Sequence, residues 1–225
     1  MTFFEPRLLR ARSTPLAAPP RRHERSKRAF DLVVATGLLV VSLPLLALLM
    51  LAVALSSRGP VLYRSERHGC DGTRFHAIKL RTMVDLDRQR ERLAAAGAST
   101  AARLEREFKL ADDPRVTRVG RFLRRTSLDE LPQLLNVLKG EMSMVGPRPK
   151  LVDEAHHYGE AFREIMSVRP GLTGHWQTAG RSDLPFEARV NLDLDYVRGR
   201  SLRWDTKICL VTAIQLLSPR RHGAY

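Results

Sequence analysis

A chain of 225 residues is one ordinary domain plus attachments, long enough to bury a real core. With 38 Lys and Arg against 24 Asp and Glu, its formal net charge of +14 favours anionic partners: nucleic acid, acidic lipid headgroups or phosphorylated substrates. Its two isolated cysteines, Cys70 and Cys209, exclude a disulfide framework and lack zinc-site spacing, so they read as reduced thiols in a cytosol-facing protein.

Residues 1–28 read as a basic, proline-bearing leader, disordered and lying near acidic lipid. Arg7, Arg10, Arg12, Arg21, Arg22, Arg25, Lys27 and Arg28 oppose only Glu5 and Glu24 there. A plain solvated leader is the alternative. Residues 29–57 read as a membrane helix. Leu32 to Leu55 is 24 residues without a charge, enough apolar length to cross a bilayer core. The run is too long for a signal peptide, and Ser56–Pro60 does not read as a cleavage site. Pro44, two residues after Ser42, removes a helix hydrogen bond and kinks the axis. Both flanks are basic, the second carrying Arg58, Arg64, Arg67, Arg74 and Lys79. Lys and Arg favour the cytoplasmic side. A helix broken at Ser42–Pro44 that enters and returns by one face suits both flanks; a kinked single span is the alternative.

The remaining residues, 58–225, read as the soluble domain. Val61–Tyr63 and Phe75–Leu80 flank Cys70-Asp71-Gly72-Thr73, whose Asp-Gly step predicts a β-hairpin. Residues 85–110 predict a helix, weakened around Gly97 to Thr100. Arg118–Arg125 predicts a short helix and Leu131–Leu138 another, ended by Gly140. Residues 140–150 and 168–185 are loop-rich in Gly and Pro, Phe186–Val197 is helical in pattern, and Thr206–Leu217 is apolar on most sides. The expected fold class is α/β: a small compact cytosolic domain with a short β-hairpin and amphipathic helices, anchored by one N-terminal proline-broken helix.

The densest local chemistry is Arg124-Arg125-Thr126-Ser127-Leu128-Asp129-Glu130-Leu131-Pro132-Gln133. Ser127 and Glu130 fit a capping box, a purely structural reading. Pro132 argues against it, because with Ser127 as cap the proline falls at the fifth helical position and damages the first turn. A helix starting near Asp129 keeps Pro132 among positions whose N–H groups lack partners anyway. Two carboxylates then stand at the positive helix end, which also attracts phosphate. Upstream, Arg115, Arg118, Arg121 and Arg124 recur every three residues, and on a helix Arg118, Arg121 and Arg125 share a face. Nucleic acid, lipid headgroups, a diphosphate or plain solvent all suit that stripe. In Gly146-Pro147-Arg148-Pro149 two prolines restrict the backbone around an arginine suited to bidentate phosphate contact. Pro170-Gly171-Leu172-Thr173-Gly174, followed by Gln177 and Gly180-Arg181, can bring backbone N–H groups near an anion. The histidines are scattered, and His156 and His157 would point apart on a helix.

In chain order these segments resemble the bacterial sugar transferase family, the monotopic polyprenyl-phosphate phosphoglycosyl transferases, from about Lys27 to Tyr225. The resemblance rests on Lys27-Arg28-Ala29-Phe30-Asp31, Gly59-Pro60-Val61, Asp71-Gly72, Phe75, Lys79–Met83, Asp113–Gly120, Thr126–Gln133, Gly140–Pro149, Pro170–Gly174, Gln177, Gly180-Arg181, Leu192-Asp193 and Tyr196. The chain departs from it where Leu43 separates Ser42 from Pro44, and where His68 and Cys70 replace the more usual Val and Arg. It looks like the compact form, without the multi-span N-terminal domain of larger members.

The resemblance implies that Asp129 is the nucleophile on the sugar-bearing phosphorus of a nucleotide diphosphate sugar, UDP-linked. Glu130, with Asp129, would hold Mg²⁺. Lys79, Arg81, Arg124, Arg148, Gln177 and Arg181 would bind donor phosphates, with Asp193 a further acidic site residue. Polyprenyl (undecaprenyl) phosphate would be the acceptor. The enzyme would sit at the bacterial inner membrane with its catalytic domain on the cytosolic face, and would start assembly of a glycan. A homodimer is left open, and nucleic acid is not an expected partner. A membrane-anchored basic binding module is the competing class. It explains the charge and the apolar run, but neither Asp129-Glu130 nor the two Gly/Pro loops, and an aromatic content of 6% leaves few stacking platforms. An inactive scaffold of the same fold is the third.

Overall fold

The computed structural model describes residues 21–96, 113–180 and 183–217. The N-terminal apolar run needs a structure that satisfies its own backbone, and it forms one long helix, α1 (Arg21–Ser56), with Pro44 inside it. The helix begins earlier than expected. Residues 21–28, read from sequence as disordered leader, are helical, because their basic side chains have partners in the folded domain. Lys27 Nζ lies 2.8 Å from Asp31 Oδ1 and 2.5 Å from Ser143 Oγ. Arg28 donates to the carbonyls of Val137 at 2.6 Å and Leu138 at 2.8 Å, satisfying the open end of another helix.

The hairpin is longer than the hydrophobic pattern alone indicated. Strands β1 (Leu62–His68) and β2 (Arg74–Leu80) pair antiparallel from Leu62 opposite Leu80 to His68 opposite Arg74. The Asp-Gly step turns the chain as expected, with Asp71 at φ 53° and Gly72 at φ 77°. Both faces of β2 are covered: Phe75 and Ala77 are buried on one, Ile78 and Leu80 on the other. After α2 (Leu86–Ala96) the rest of the predicted 85–110 helix lies outside the described residues.

Helix α3 (Arg118–Thr126) is capped by the Thr117 hydroxyl, which accepts from Gly120 N at 2.8 Å. Gly120 is required by close approach, since a Cβ there would stand 2.0 Å from the Thr82 carbonyl oxygen. A 3₁₀ turn over Leu128–Gln133 leads into α4 (Leu134–Lys139), which stops at Gly140 with φ 85°. Asn136 in α4 is fully buried and ties this helix to β2, accepting from Ile78 N and donating to His76 O.

The two Gly/Pro stretches expected as loops contain strands β3 (Ser143–Val145) and β4 (Gly171–Thr173), paired in parallel. Periodicity cannot reveal strands of three residues, but their glycines can. A Cβ on Gly171 would sit 2.0 Å from Gly146 N, and one on Gly174 would sit 2.4 Å from Gly146 O. These glycines serve backbone packing between the loops. Short helices α5 (Ala161–Ile165) and α6 (His175–Ala179) precede α7 (Phe186–Gly199) and α8 (Leu202–Leu217), the last beginning four residues before the predicted segment.

The expected α/β class holds as a small mixed helix–sheet fold with two apolar cores. One joins Ala35 of α1 to Phe75, Leu134, Val137, Met144, Tyr196 and Ile208; the other joins Leu46, Leu49 and Val53 of α1 to Leu80 and Leu123. Both halves of α1 therefore pack against the same domain, one on each side of Pro44. Elsewhere its surface is apolar and open, with Val33, Val41, Leu48 and Leu55 all more than half exposed.

Candidate active site

The site grows from the reversal between α3 and α4. Ser127 sits there at φ 57°, a left-handed conformation that costs a non-glycine residue about 1–3 kcal/mol. Its side chain caps nothing, so the capping box that the sequence allowed is not formed. The 3₁₀ turn that follows accommodates Pro132 and carries Asp129 and Glu130 in its first turn. β2 lies alongside this turn and brings Lys79, whose Nζ is 2.6 Å from Glu130 Oε1.

Asp129 is 9% exposed. Burial, then the adjacent Glu130 charge, push its carboxyl up to about 6, while Lys79 and Arg124 pull the other way. Arg124 is held by Nε donating to Thr82 Oγ1 at 3.0 Å, and burial weakens its hold on its proton.

Glu130 and Lys79 form one wall of a cavity open to solvent. Gln133, Arg67, Arg148 and Gln177 face it from other sides, with Gly171 and Leu172 along the edge. Arg148 lies 6.0 Å over the Trp176 ring. Gln177 donates to Leu172 O at 3.4 Å, and its buried Oε1 has no hydrogen-bond partner. With Lys79 paired to Glu130, two guanidinium groups face the cavity, and among the described residues no carboxylate is hydrogen-bonded to either, an arrangement that suits an anion.

Sequence reading did not single out Arg67 as a site residue. The end of β1 bridges to Leu151, and His68 N donates to Lys150 O at 3.0 Å, which sets Arg67 beside the Gly-Pro-Arg-Pro loop. Its Nη1 donates to Pro149 O at 3.3 Å and its Nε to Ser65 Oγ at 3.1 Å. Burial and the Arg148 charge both lower its proton affinity. Only its basic character was visible beforehand. Lys150 was missed as well.

Other expected residues lie elsewhere. Arg81 does not face the cavity. It donates to the carbonyls of Ser57 at 2.5 Å, Val53 at 3.4 Å and Pro60, closing the C-terminal end of α1. Local sequence made it a neighbour of Lys79, but it lies just beyond the end of β2, where its guanidinium reaches back to the C-terminal end of α1. Asp193 is 1% exposed and ion-paired to Lys150 at 2.7 Å behind the cavity wall. Arg181 lies outside the described residues. Ser42 donates to Leu39 O at 3.2 Å inside α1.

Asp129 and Glu130 are hard oxygen donors whose mutual repulsion already raises the proton affinity of one of them. That suits Mg²⁺, which binds through one or two carboxylates and completes its shell with water and substrate phosphate oxygens.

A family model described as bacterial sugar transferase matches residues 22–219. The chain is 43% identical over 200 residues to the undecaprenyl-phosphate galactose phosphotransferase of Salmonella typhimurium, covering 88% of this chain and 41% of that one. It is 43% identical over 188 residues to the exopolysaccharide production protein ExoY of Sinorhizobium fredii, covering 83% of each. With the UDP-glucose:undecaprenyl-phosphate glucose-1-phosphate transferase of Escherichia coli K12, identity is 41% over 197 residues, covering 84% of this chain and 39% of that one. The chain thus spans about two fifths of the length of the Salmonella and Escherichia relatives and most of ExoY.

Proposed function

The chain belongs to the bacterial sugar transferase family, and from that premise we propose that it moves a sugar 1-phosphate from a nucleotide diphosphate sugar onto polyprenyl phosphate, through a phosphosugar held on Asp129. The observation that carries the reading is the buried Asp129 beside the Lys79–Glu130 pair, at a cavity faced by Arg67 and Arg148.

A carboxylate attacking a diphosphate meets like charge, so surrounding cations must offset it. Arg67 and Arg148 are placed to receive the diphosphate, and Arg124 faces Asp129. The Asp129 carboxylate attacks the sugar-bearing phosphorus. The bond to the bridging oxygen breaks, and the nucleoside monophosphate leaves with the electron pair. The acyl phosphate left on Asp129 is a reactive mixed anhydride. A phosphate oxygen of polyprenyl phosphate then attacks the same phosphorus and releases the Asp129 carboxylate, giving a polyprenyl diphosphate sugar. Asp129 and Glu130 would hold Mg²⁺, which when bound supplies further positive charge against the diphosphate oxygens. Because the relatives named above handle galactose and glucose, UDP-hexoses are the first donors to offer.

The test omits the acceptor. With donor alone, intact-mass measurement should find one phosphosugar on the chain and none on Asp129→Asn. Nucleoside monophosphate release that requires polyprenyl phosphate, with no adduct, would establish a single displacement instead.

We place α1 in the inner membrane as a re-entrant helix, with the domain on the cytosolic face. The support is that Lys27 and Asp31 at one end and Leu46, Leu49 and Val53 beyond Pro44 all pack on one domain. A helix crossing straight through would carry one of these contact sets away from it. Cysteines at Ser13 and Ser57, in a background lacking Cys70 and Cys209, should both resist an impermeant thiol reagent in intact cells. Labelling at position 13 alone would mean a true span.

A further inference from the structure

Arg67, Ala77 and Lys79 of the hairpin line the cavity, and strand alternation puts Tyr63 and Ser65 on the same face. The register sets Ser65 across from Ala77 and Tyr63 across from Lys79. Opposite residues of an antiparallel pair stand about 4.5–5.5 Å apart at Cβ, so Tyr63 leaves the backbone beside Lys79, whose Nζ is 2.6 Å from Glu130 Oε1. Ser65 is buried and accepts from Arg67 Nε at 3.1 Å. Tyr63 is different. It is 56% exposed, and among the described residues its hydroxyl has no hydrogen-bond partner, although it lies within electrostatic reach of Arg67.

The two ends of this face lead to different surroundings. At one end Arg67 donates to Pro149 O, beside Arg148, where the cavity gathers its guanidinium groups. The Tyr63 end leads to α1. Val61 packs on the core formed with Leu46, Leu49 and Val53, and its carbonyl accepts from Arg81 N at 2.8 Å, while the Arg81 guanidinium closes the end of α1. A nucleotide sugar arrives from water, but a polyprenyl phosphate is tied to apolar surroundings by its tail and has to arrive along the apolar helix. Its phosphate then meets Lys79 and Tyr63 before it meets Arg148. A tyrosine side chain has an apolar body and a polar tip, which matches the junction between an isoprenoid tail and its phosphate.

We propose that Tyr63 is an acceptor-binding residue: its hydroxyl donates to the phosphate of polyprenyl phosphate entering beside Lys79, and its ring lies along the first isoprenoid units. This rests on polyprenyl phosphate being the acceptor, not on the covalent step at Asp129. Loss of a hydrogen bond to a charged phosphate is worth on the order of tenfold in affinity.

Two measurements on the full chain test it. Calorimetric titration with a short-chain, water-soluble polyprenyl phosphate in detergent micelles should show Kd raised about tenfold in Tyr63→Phe, which keeps the ring, and further in Tyr63→Ala. Phosphosugar adduct formed from a UDP-hexose alone should appear at the wild-type rate in both variants. Chased with the same acceptor, the Tyr63→Phe adduct should need about tenfold more acceptor for half-maximal decay and reach the wild-type rate at saturation. Acceptor affinity unchanged in both variants would overturn the proposal. Adduct formation slowed as much as the chase would make Tyr63 a support of the hairpin. A defect seen in nanodiscs but absent with the soluble acceptor would make it a bilayer anchor, and either of these results also overturns the proposal. A wild-type chain that binds the acceptor more tightly than Tyr63→Phe yet forms no adduct would leave it standing and remove the covalent mechanism.

Discussion

Two places in this chain set one lysine against two carboxylates, and they differ in what surrounds them. Lys27 lies 2.8 Å from Asp31 and 3.3 Å from Asp205, with side-chain exposures of 9%, 1% and 0%. Ser143, the Met144 N–H and the Tyr196 hydroxyl add hydrogen bonds to that cluster, and burial raises the Asp205 carboxyl. It is closed, and it joins α1 to β3 and α8. Lys79 and Glu130, with Asp129 buried beside them, line a cavity faced by two more cations. The same residue types therefore do different work. Where protein buries the cluster on every side, it holds elements together. Where the shell is left incomplete beside a cavity, an incoming anion can complete it.

Removing the carboxylate proposed as the nucleophile should have the largest effect. Asp129→Asn is expected to lower turnover on the order of 10⁴-fold or more, as loss of an attacking group does, with the fold kept. Nucleoside monophosphate release and thermal unfolding, measured together, check both halves. Near wild-type turnover would remove the covalent mechanism.

Removing the lysines should separate the clusters next. Lys27→Met leaves two buried carboxylates without their cation and should cost about 3–5 kcal/mol, roughly 6–20 °C in unfolding temperature. Lys79→Met, at a partly exposed pair, should cost about 1 kcal/mol or less in stability yet impair turnover. Equal thermal shifts would erase the distinction between a closed and an open cluster.

Arg148→Ala tests the anion site itself. Loss of a charge-assisted hydrogen bond is worth about 1.5–3 kcal/mol, on the order of tenfold to a hundredfold. Kinetics with both substrates varied should show it in the donor. A change confined to polyprenyl phosphate would move Arg148 to the acceptor side.

The last test is a pH dependence of stability, measured without divalent cations. Asp129 has a folded pKa of about 6, above the usual 3.8, so between those values the folded state holds the proton more tightly. Wild-type stability should therefore fall as pH rises from about 4 through 6 and level off above, relative to Asp129→Asn. The advantage of Asp129→Asn should be full above pH 6 and vanish near pH 4. Added Mg²⁺ should shrink it, because a cation between the carboxylates favours their charged forms. An offset that ignores both pH and Mg²⁺ would contradict the raised pKa and the metal role of Asp129 and Glu130.

The sequence by itself determined the apolar helix, the Asp-Gly hairpin, the stop at Gly140 and the Asp129-Glu130 pair after clustered arginines. These are local: periodicity, turn chemistry and the position of Pro132 carry them without reference to anything distant in the chain. Tertiary structure decided the rest. It gave Lys27 and Arg28 partners more than a hundred residues away and so made helix of a segment that composition reads as leader. It paired β3 with β4, whose three residues each are too short to show a period. It split arginines that look alike in the sequence between roles, because each role depends on the backbone packed beside it. Arg67 came to the cavity, while Arg81 went to the end of α1. Charge is written in the sequence, but the partner of each charge depends on which backbones pack together, and only the folded chain brings those into contact.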